Sequence, residues 1–429
     1  MSKSPWIVIA GGGTAGHVLP ALAIANELRS TGTPASAIHF VGSKRGLEGR
    51  LVAEAGFPIT LLSGRGIQRK LTIDNIGAVA GLVFGALRAT VLLARRRPAV
   101  VFSVGGYAST PCALGARLLR IPLVQAESNA RAGKAISAFA EYAKATAVQF
   151  EGTGLRNAVL VGNPVRPEVL ALFPTGATGS LPSGATAREK SESNATIPSL
   201  GENKAANQGL NSVAAQDHDH QQEVRQNEVR QLVARRDLGY PIDQQFLAVF
   251  GGSLGARRIN EAVFALMESW VDRPLSVHHV IGGRDFEAAQ QWLTTWNEKI
   301  PTRALTYHQI RYEDRMDLVY AAADVFICRA GGTSIADLAI AGVPAILVPL
   351  PSAAEDHQSV NARWVAADGA AVCVADKECT AERLDKELSL ILNDEAKHEA
   401  MSQAQFRRAR PRAAGDIVSL LDRFASRPR

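Results

Sequence analysis

Cysteine is scarce: Cys112, Cys328, Cys373 and Cys379 are the four in a chain of 429 residues. None is spaced as Cys-x-x-Cys and no His-rich motif accompanies them, which excludes a disulfide-stapled scaffold and a zinc-finger site. They read as buried free thiols. The first six residues lack the basic, apolar and small-residue sections of a signal peptide. The expected compartment is the cytoplasm. The strongly apolar segment 76–87 (IGAVAGLVFGAL) is too short to span a bilayer and is interrupted by Arg88. Charge is moderate, at 21% of residues with a formal net charge of +6. That balance suits an anionic partner, whether nucleic acid, phosphorylated substrate or acidic membrane, without choosing among them.

What is present is alternation of strand and helix. At this length two domains are the natural expectation. Residues 6–10 (WIVIA) lead into GGGTAGH and a helical pattern over 19–28; residues 38–41, 99–104, 121–125 and 158–161 continue as strands. The rhythm stops near Pro174. From there to about residue 224 the sequence is polar and has no aromatic residue, so it cannot offset the entropy of ordering. Asp217-His-Asp-His lies in this tract and reads as a solvated run, not a metal site. Helical sequence resumes at 228–236, and residues 246–250, 278–281, 324–328 and 345–348 supply further strands. The expected fold class is α/β: two Rossmann-like domains with parallel sheets facing a cleft. The expected division is 1–170, an inserted linker at 171–227, a second domain at 228–408, and a C-terminal helix at 409–429 able to return to the first half.

Between residues 63 and 97, Arg65, Arg69, Lys70, Arg88, Arg95, Arg96 and Arg97 face a single acid, Asp74. Basic residues beside an apolar helix can dock on anionic lipid. A core helix with solvated flanks explains the same pattern.

The glycine loops carry the chemistry. Gly11-Gly-Gly-Thr-Ala-Gly16 follows a strand and opens a helix, a setting in which backbone N–H groups and the helix dipole attract phosphate. A dinucleotide site also needs an acid at the end of the second strand. That strand runs into Phe40-Val-Gly-Ser-Lys-Arg45 with no carboxylate, which argues against an NAD-dependent oxidoreductase. Gly251-Gly-Ser-Leu-Gly255 stands at the equivalent place in the second half, where its amides and Ser253 suit a diphosphate. Cys328-Arg-Ala-Gly-Gly-Thr-Ser-Ile-Ala-Asp337 is a third such junction. There Thr333 and Ser334 suit N-capping, and Asp337 is either a ribose contact or a solvated helix acid. Gln358, in the next loop, suits sugar hydroxyls. Three such loops in one half point to a nucleotide-sugar pocket.

In order along the chain, GGGTAGHVLPALAIA, GGYASTP, GNPVR, GGSLGA, RAGGTSIADLAIAGVPAILVPLP and EDHQSVNA resemble the MurG glycosyltransferases of bacterial peptidoglycan synthesis. The resemblance covers nearly everything outside about residues 174–224. It implies the GT-B fold and inverting, metal-independent and cofactor-free transfer of N-acetylglucosamine. The implied donor is UDP-N-acetylglucosamine, and the implied acceptor is lipid I, an undecaprenyl-diphosphate muramyl-pentapeptide. The product is lipid II, made at the cytoplasmic face of the cell membrane by a peripheral enzyme. An anionic membrane surface is an implied partner and nucleic acid is not.

By motif, His17 resembles the family's general base, and Thr14, Ala15 and Gly16 its loop facing donor sugar and acceptor. Asn129 resembles a sugar-contacting Asn. Arg166, Ser253, Gly332, Thr333, Ser334 and Gln358 look like donor-binding residues, and Asp337 stands where the family has a ribose-binding Glu. The chain departs from the family pattern at Ala126, in place of His, at Ile136, in place of Asn, and at Ala15 and Leu254. The departures gather on the acceptor side, so a UDP-sugar transferase with another lipid or small-molecule acceptor is the alternative. A UDP-sugar-binding protein without turnover is a further one.

Overall fold

The structure, a computed structural model, describes residues 6–44, 46–63, 74–174, 225–252 and 255–426. Arg65, Arg69, Lys70, the Asp217-His-Asp-His run and Ser253 lie outside the described residues. In the first half come β1 (Ile7–Ala10), α1 (Ala15–Ser30), β2 (Ile38–Ser43), α2 (Glu48–Glu54), β3 (Ile59–Leu62) and α3 (Asp74–Arg96). They are followed by β4 (Val100–Ser103), α4 (Ser109–Leu119), β5 (Leu123–Glu127), α5 (Lys134–Ser137), β6 (Ala145–Val148), β7 (Ala158–Leu160) and α6 (Pro167–Leu170). A helix over residues 225–237, α7, opens the second half. Then come β8 (Gln245–Phe250), α8 (Arg257–Ser269), β9 (Leu275–Val280), α9 (Phe286–Lys299), β10 (Thr306–Ile310), α10 (Met316–Ala322), β11 (Val325–Cys328) and α11 (Gly332–Ala341). β12 (Ala345–Leu347), α12 (His357–Ala367), β13 (Ala371–Cys373), α13 (Ala381–Leu392), α14 (Glu395–Arg408) and α15 (Ala413–Phe424) complete it.

The strands form two wholly parallel sheets, ordered β3-β2-β1-β4-β5-β6-β7 and β10-β9-β8-β11-β12-β13. Parallel sheets are covered on both faces, so their central strands are apolar throughout. In β1, Ile7 and Ile9 pack with α1 on one face, while Val8 and Ala10 pack with α4 on the other. In β8, Phe246 and Ala248 face α10 and α11, and Leu247 and Val249 face α8 and α13. Each sheet reverses its strand order between its first and fourth strands. The loops that leave β1 and β4, and those that leave β8 and β11, therefore meet at the positions where such sheets bind ligands.

Two packing relations tie the halves together. Ile417, Val418, Leu420 and Leu421 of α15 join the first-sheet core beside Ile24 and Phe102. Conversely Val169 of α6 and Phe173 join the second-sheet core with Tyr320 and Phe326, so the second core claims residues ahead of the expected boundary at 170. All four cysteines are free. Among the described residues no helix is long and apolar enough to cross a membrane.

Ile417 is fully buried. Ile417→Ala should destabilise the chain by about 2–5 kcal/mol. Denaturant unfolding checks it, with the first-half transition moving ahead of the second.

Candidate active site

The first glycine loop binds its own chain. Gly11, Gly12 and Gly13 have φ of 153°, 133° and 96°, a run that favours glycine. The Gly11 N–H donates to the Val41 carbonyl (3.1 Å), the Gly12 N–H to the Gly105 carbonyl (3.3 Å), and the Gly13 N–H to Glu48 Oε2 (3.0 Å). Glu48 opens α2 and is 2% exposed; its Oε1 accepts the Ser43 N–H at 2.6 Å. A carboxylate thus does reach this loop, from the helix beyond β2 instead of from the strand end where the sequence lacks one. Among the described residues no acceptor meets the amides of Thr14, Ala15 or Gly16, the orphan donors of the α1 N-terminus.

His17 sits one residue further on. Its Nδ1 lies 3.1 Å from Thr14 Oγ1. Its ring lies over Gly105, where an added Cβ would come within 3.0 Å of Nε2. Burial, and then the charge of His357, push the His17 pKa below its ordinary value, against the opposing pull of Glu48 and the Gly12 carbonyl. The imidazole is therefore neutral at neutral pH and free to accept a proton. A cavity of about 20 Å³, lined by His17, Glu127, Ser128 and Asn163 among others, lies beside it. That is room for one water.

The second half closes directly onto this loop. Pro20, inside α1, lacks the N–H that would bond the Gly16 carbonyl. That carbonyl instead accepts Thr333 Oγ1 from α11 at 3.3 Å. The expected N-capping by Thr333 does not occur: α11 is capped by Gly331 without a side-chain bond, and the Thr333 hydroxyl crosses to the first half. Gly332 approaches Ser128 so closely that a Cβ would lie 2.9 Å from the Ser128 Cβ. Gln149 Nε2 donates to the Gly332 carbonyl at 3.0 Å. Asn361 of α12, fully buried, joins three segments. Its Oδ1 accepts the Ala130 N–H (2.8 Å), and its Nδ2 donates to Asn129 Oδ1 (3.0 Å) and to the Ala330 carbonyl (3.1 Å). Asn129 Nδ2 donates in turn to Glu127 Oε1 at 2.8 Å, so its amide is engaged at both ends.

Asp337 is neither solvated nor open to the cleft. It is 6% exposed and its Oδ1 has no hydrogen-bond partner. Burial raises its pKa from 3.8 to about 7, against the opposing charge of Arg166 and a hydrogen bond from Tyr320. Arg166, half-buried, is the N-cap residue of α6. Gln358 is half-buried, with Oε1 accepting the Leu350 N–H at 2.9 Å. Ser334 lies half-buried in the first turn of α11. Arg329 Nη1 donates to the Val348 and Pro349 carbonyls, each at 3.1 Å, and to Asp376 Oδ1 at 2.6 Å, and so fixes the loop that carries Gln358. At the departures from the family pattern, Ile136 is buried and offers no polar group, and Ala126 is half-buried.

Sequence reasoning missed Glu48, Asn361 and Arg329. The last two lie inside quoted motifs, EDHQSVNA and RAGG, whose other residues drew the attention. Glu48 carries no local signal at all.

Two Rossmann-like domains whose strand ends converge on glycine loops at both switch points define the GT-B fold. Residues 7–148 match the glycosyltransferase family 28 N-terminal domain, and residues 246–417 its C-terminal domain. The chain is 32% identical to the UDP-N-acetylglucosamine--N-acetylmuramyl-(pentapeptide) pyrophosphoryl-undecaprenol N-acetylglucosamine transferase of Desulforudis audaxviator (strain MP104C), over 98% of this chain and 99% of that protein. It is 34% identical to the protein of the same name from Paenarthrobacter aurescens (strain TC1), over 94% of this chain and 91% of that protein. The crystal structure of Acinetobacter baumannii MurG has the same fold, with a TM-score of 0.66 at 24% identity, over 97% of this chain and 99% of that one. The chain belongs to the MurG family of glycosyltransferases.

Asp337 has a raised folded-state pKa. Its contribution to stability is complete below the unfolded carboxylate value and is lost as pH rises through about 7. Asp337→Asn should remove that loss. Thermal unfolding as a function of pH checks it: the variant should show a flatter profile and a higher Tm than wild type above neutrality.

Proposed function

We propose that this chain transfers N-acetylglucosamine from UDP-N-acetylglucosamine to lipid I, with inversion, to give lipid II. The observation that carries the reading is the place of His17: a neutral imidazole on the first glycine loop, at the seam where α11 of the second half closes. Kinship to proteins named for this reaction over nearly the whole chain supports it.

The acceptor hydroxyl attacks the anomeric carbon from the face opposite UDP. His17 takes its proton as the new C–O bond forms. The bond from the anomeric carbon to the UDP oxygen breaks, and its electron pair leaves with the diphosphate. Arg166 supplies positive charge where that negative charge develops. Ser253, Gly332, Thr333, Ser334 and Gln358 hold the donor, aided by the α11 N-terminus. Asp337, buried beside Tyr320, is a ribose contact only where it leaves that place. The free amides of Thr14, Ala15 and Gly16 face the acceptor and the donor sugar. Asn129 is a sugar contact only where its bond to Asn361 is given up.

The membrane face is α3. Its Gly85, Ala89 and Leu93 are buried, while Val83, Phe84, Leu87 and Val91 are 56%, 54%, 62% and 49% exposed on the other side. Arg88 and Arg95 are exposed on the same helix. A contiguous apolar patch with basic neighbours suits docking on anionic lipid. We place the enzyme peripherally at the cytoplasmic face of the membrane.

With a short-chain lipid I analogue and UDP-N-acetylglucosamine, UDP release should occur, and His17→Ala should lower kcat by roughly 10²–10⁴-fold. The acid limb of the wild-type pH–rate profile should lie below the ordinary histidine value of about 6.5, since the lowered pKa leaves the base neutral there. No UDP release from wild type sinks the assignment. Replacing both Phe84 and Leu87 by Ser should weaken binding to phosphatidylglycerol vesicles roughly tenfold or more, from the apolar area lost. Turnover of the soluble analogue should stay at the wild-type rate.

A further inference from the structure

Glycine loops of this kind attract anions because several N–H groups converge on one point. In the first loop the anion is already part of the chain. Glu48 Oε2 takes the Gly13 N–H and Oε1 takes the Ser43 N–H, so one carboxylate joins the turn after β1 to the end of β2. The backbone around it is shaped to admit it. A Cβ on Gly12 would lie 2.6 Å from the Glu48 carboxyl carbon, and a Cβ on Gly42 would collide with its Cγ. Among the described residues no cation pairs with Glu48, which is 2% exposed. Its hydrogen-bond partners among the described residues are backbone amides, and its charge also acts on His17. With Gly11 and Gly12 engaged by carbonyls, every glycine amide at the head of this loop is occupied.

We propose that Glu48 is a positioning residue: an internal carboxylate that fills the amide cradle of the first glycine loop, fixes the turn beneath His17, and denies that cradle to a substrate phosphate. The role rests on the reading of His17 as the base, while the filled cradle does not. Gln has a single acceptor oxygen. In Glu48→Gln one of the two amides must therefore face an N–H₂ group, and the turn that carries His17 shifts. Two charged or titratable groups act on His17, Glu48 from α2 and His357 from α12, and Glu127 lines the small cavity beside it. Only Glu48 is changed in this variant.

The test uses the full-length chain and three variants: Glu48→Gln, Glu48→Ala, and Glu54→Ala as a control. Glu54 is an exposed acid on the same helix, paired with Arg50. In the transfer assay Glu48→Gln should lose roughly 10²-fold in kcat with little change in donor KM, as expected for misplacement near the reacting group. The His17 titration, followed by NMR and assigned against His17→Ala, should move to lower pH in Glu48→Gln and stay in place in Glu54→Ala. Glu48→Ala should bind inorganic pyrophosphate at least about tenfold more tightly than either wild type or Glu54→Ala, by isothermal titration, because the vacated amides accept an anion. Wild-type kcat in Glu48→Gln together with an unmoved His17 titration overturns the positioning role. Equal pyrophosphate affinity in Glu48→Ala and Glu54→Ala overturns the filled cradle. If wild type shows no transfer, the functional reading fails, and the NMR and pyrophosphate arms still decide this one. If Glu48→Ala does not fold, phosphate-probe binding to Glu48→Gln, which has lost the charge, takes its place.

Discussion

The arrangement of the two halves turns on one buried amide. Asn361 satisfies a backbone N–H in the first half, a side-chain carbonyl in the first half and a backbone carbonyl in the second. Each group, left unpaired in this buried seam, would cost on the order of 1–3 kcal/mol. The geometry of Asn361 sets how near α11 comes to Ser128, which in turn sets the reach of Thr333 and Gln149. The site is thus built from the seam outward, and the loops take their places because the amide has fixed the distance between the sheets.

The two sets of glycine loops share a sequence style but not a state. In the first half the loop amides are consumed by Val41, Gly105 and Glu48, and only the α1 N-terminus beyond them faces outward. In the second half Gly332, Thr333 and Ser334 form the first turn of α11, and Arg329 braces the adjoining loop. A dinucleotide-like motif can therefore spend its glycine amides on the chain's own oxygens while the helix behind it carries an imidazole. The end of β2 carries no acid of the kind a nicotinamide cofactor's ribose needs. The acid that does arrive, Glu48, turns towards the loop's own backbone.

Much of this was legible in the sequence. The central strands of both sheets read as continuous apolar runs because they are covered on both faces, and their following glycines marked the switch points. The edge strands β3, β10 and β13, partly exposed, did not read as strands, and neither did the interior strand β6, whose four residues Ala-Thr-Ala-Val are small and include a polar one. The ordered motifs carried the MurG resemblance, and family membership agrees with it. What the sequence could not carry was contact between distant segments. Nothing local tells that Asp337 turns inward to Tyr320 under the charge of Arg166, or that α6 packs on the second core, whereas the C-terminal helix reads as able to return to the first half, where α15 packs. The inward turn of Asp337 follows from α6 lying against α11, a relation fixed only in three dimensions.

Pro20 gives α1 a property that an unbroken helix would not have. The carbonyl it leaves bare at Gly16 finds its donor on the opposite domain, one residue before His17. Separation of the domains strips that carbonyl of its protein partner and leaves it to water. The first turn of the helix is thereby informed of whether the cleft is shut. The turn that carries His17 is thus coupled, through the Thr333 hydroxyl, to the contact between the two halves.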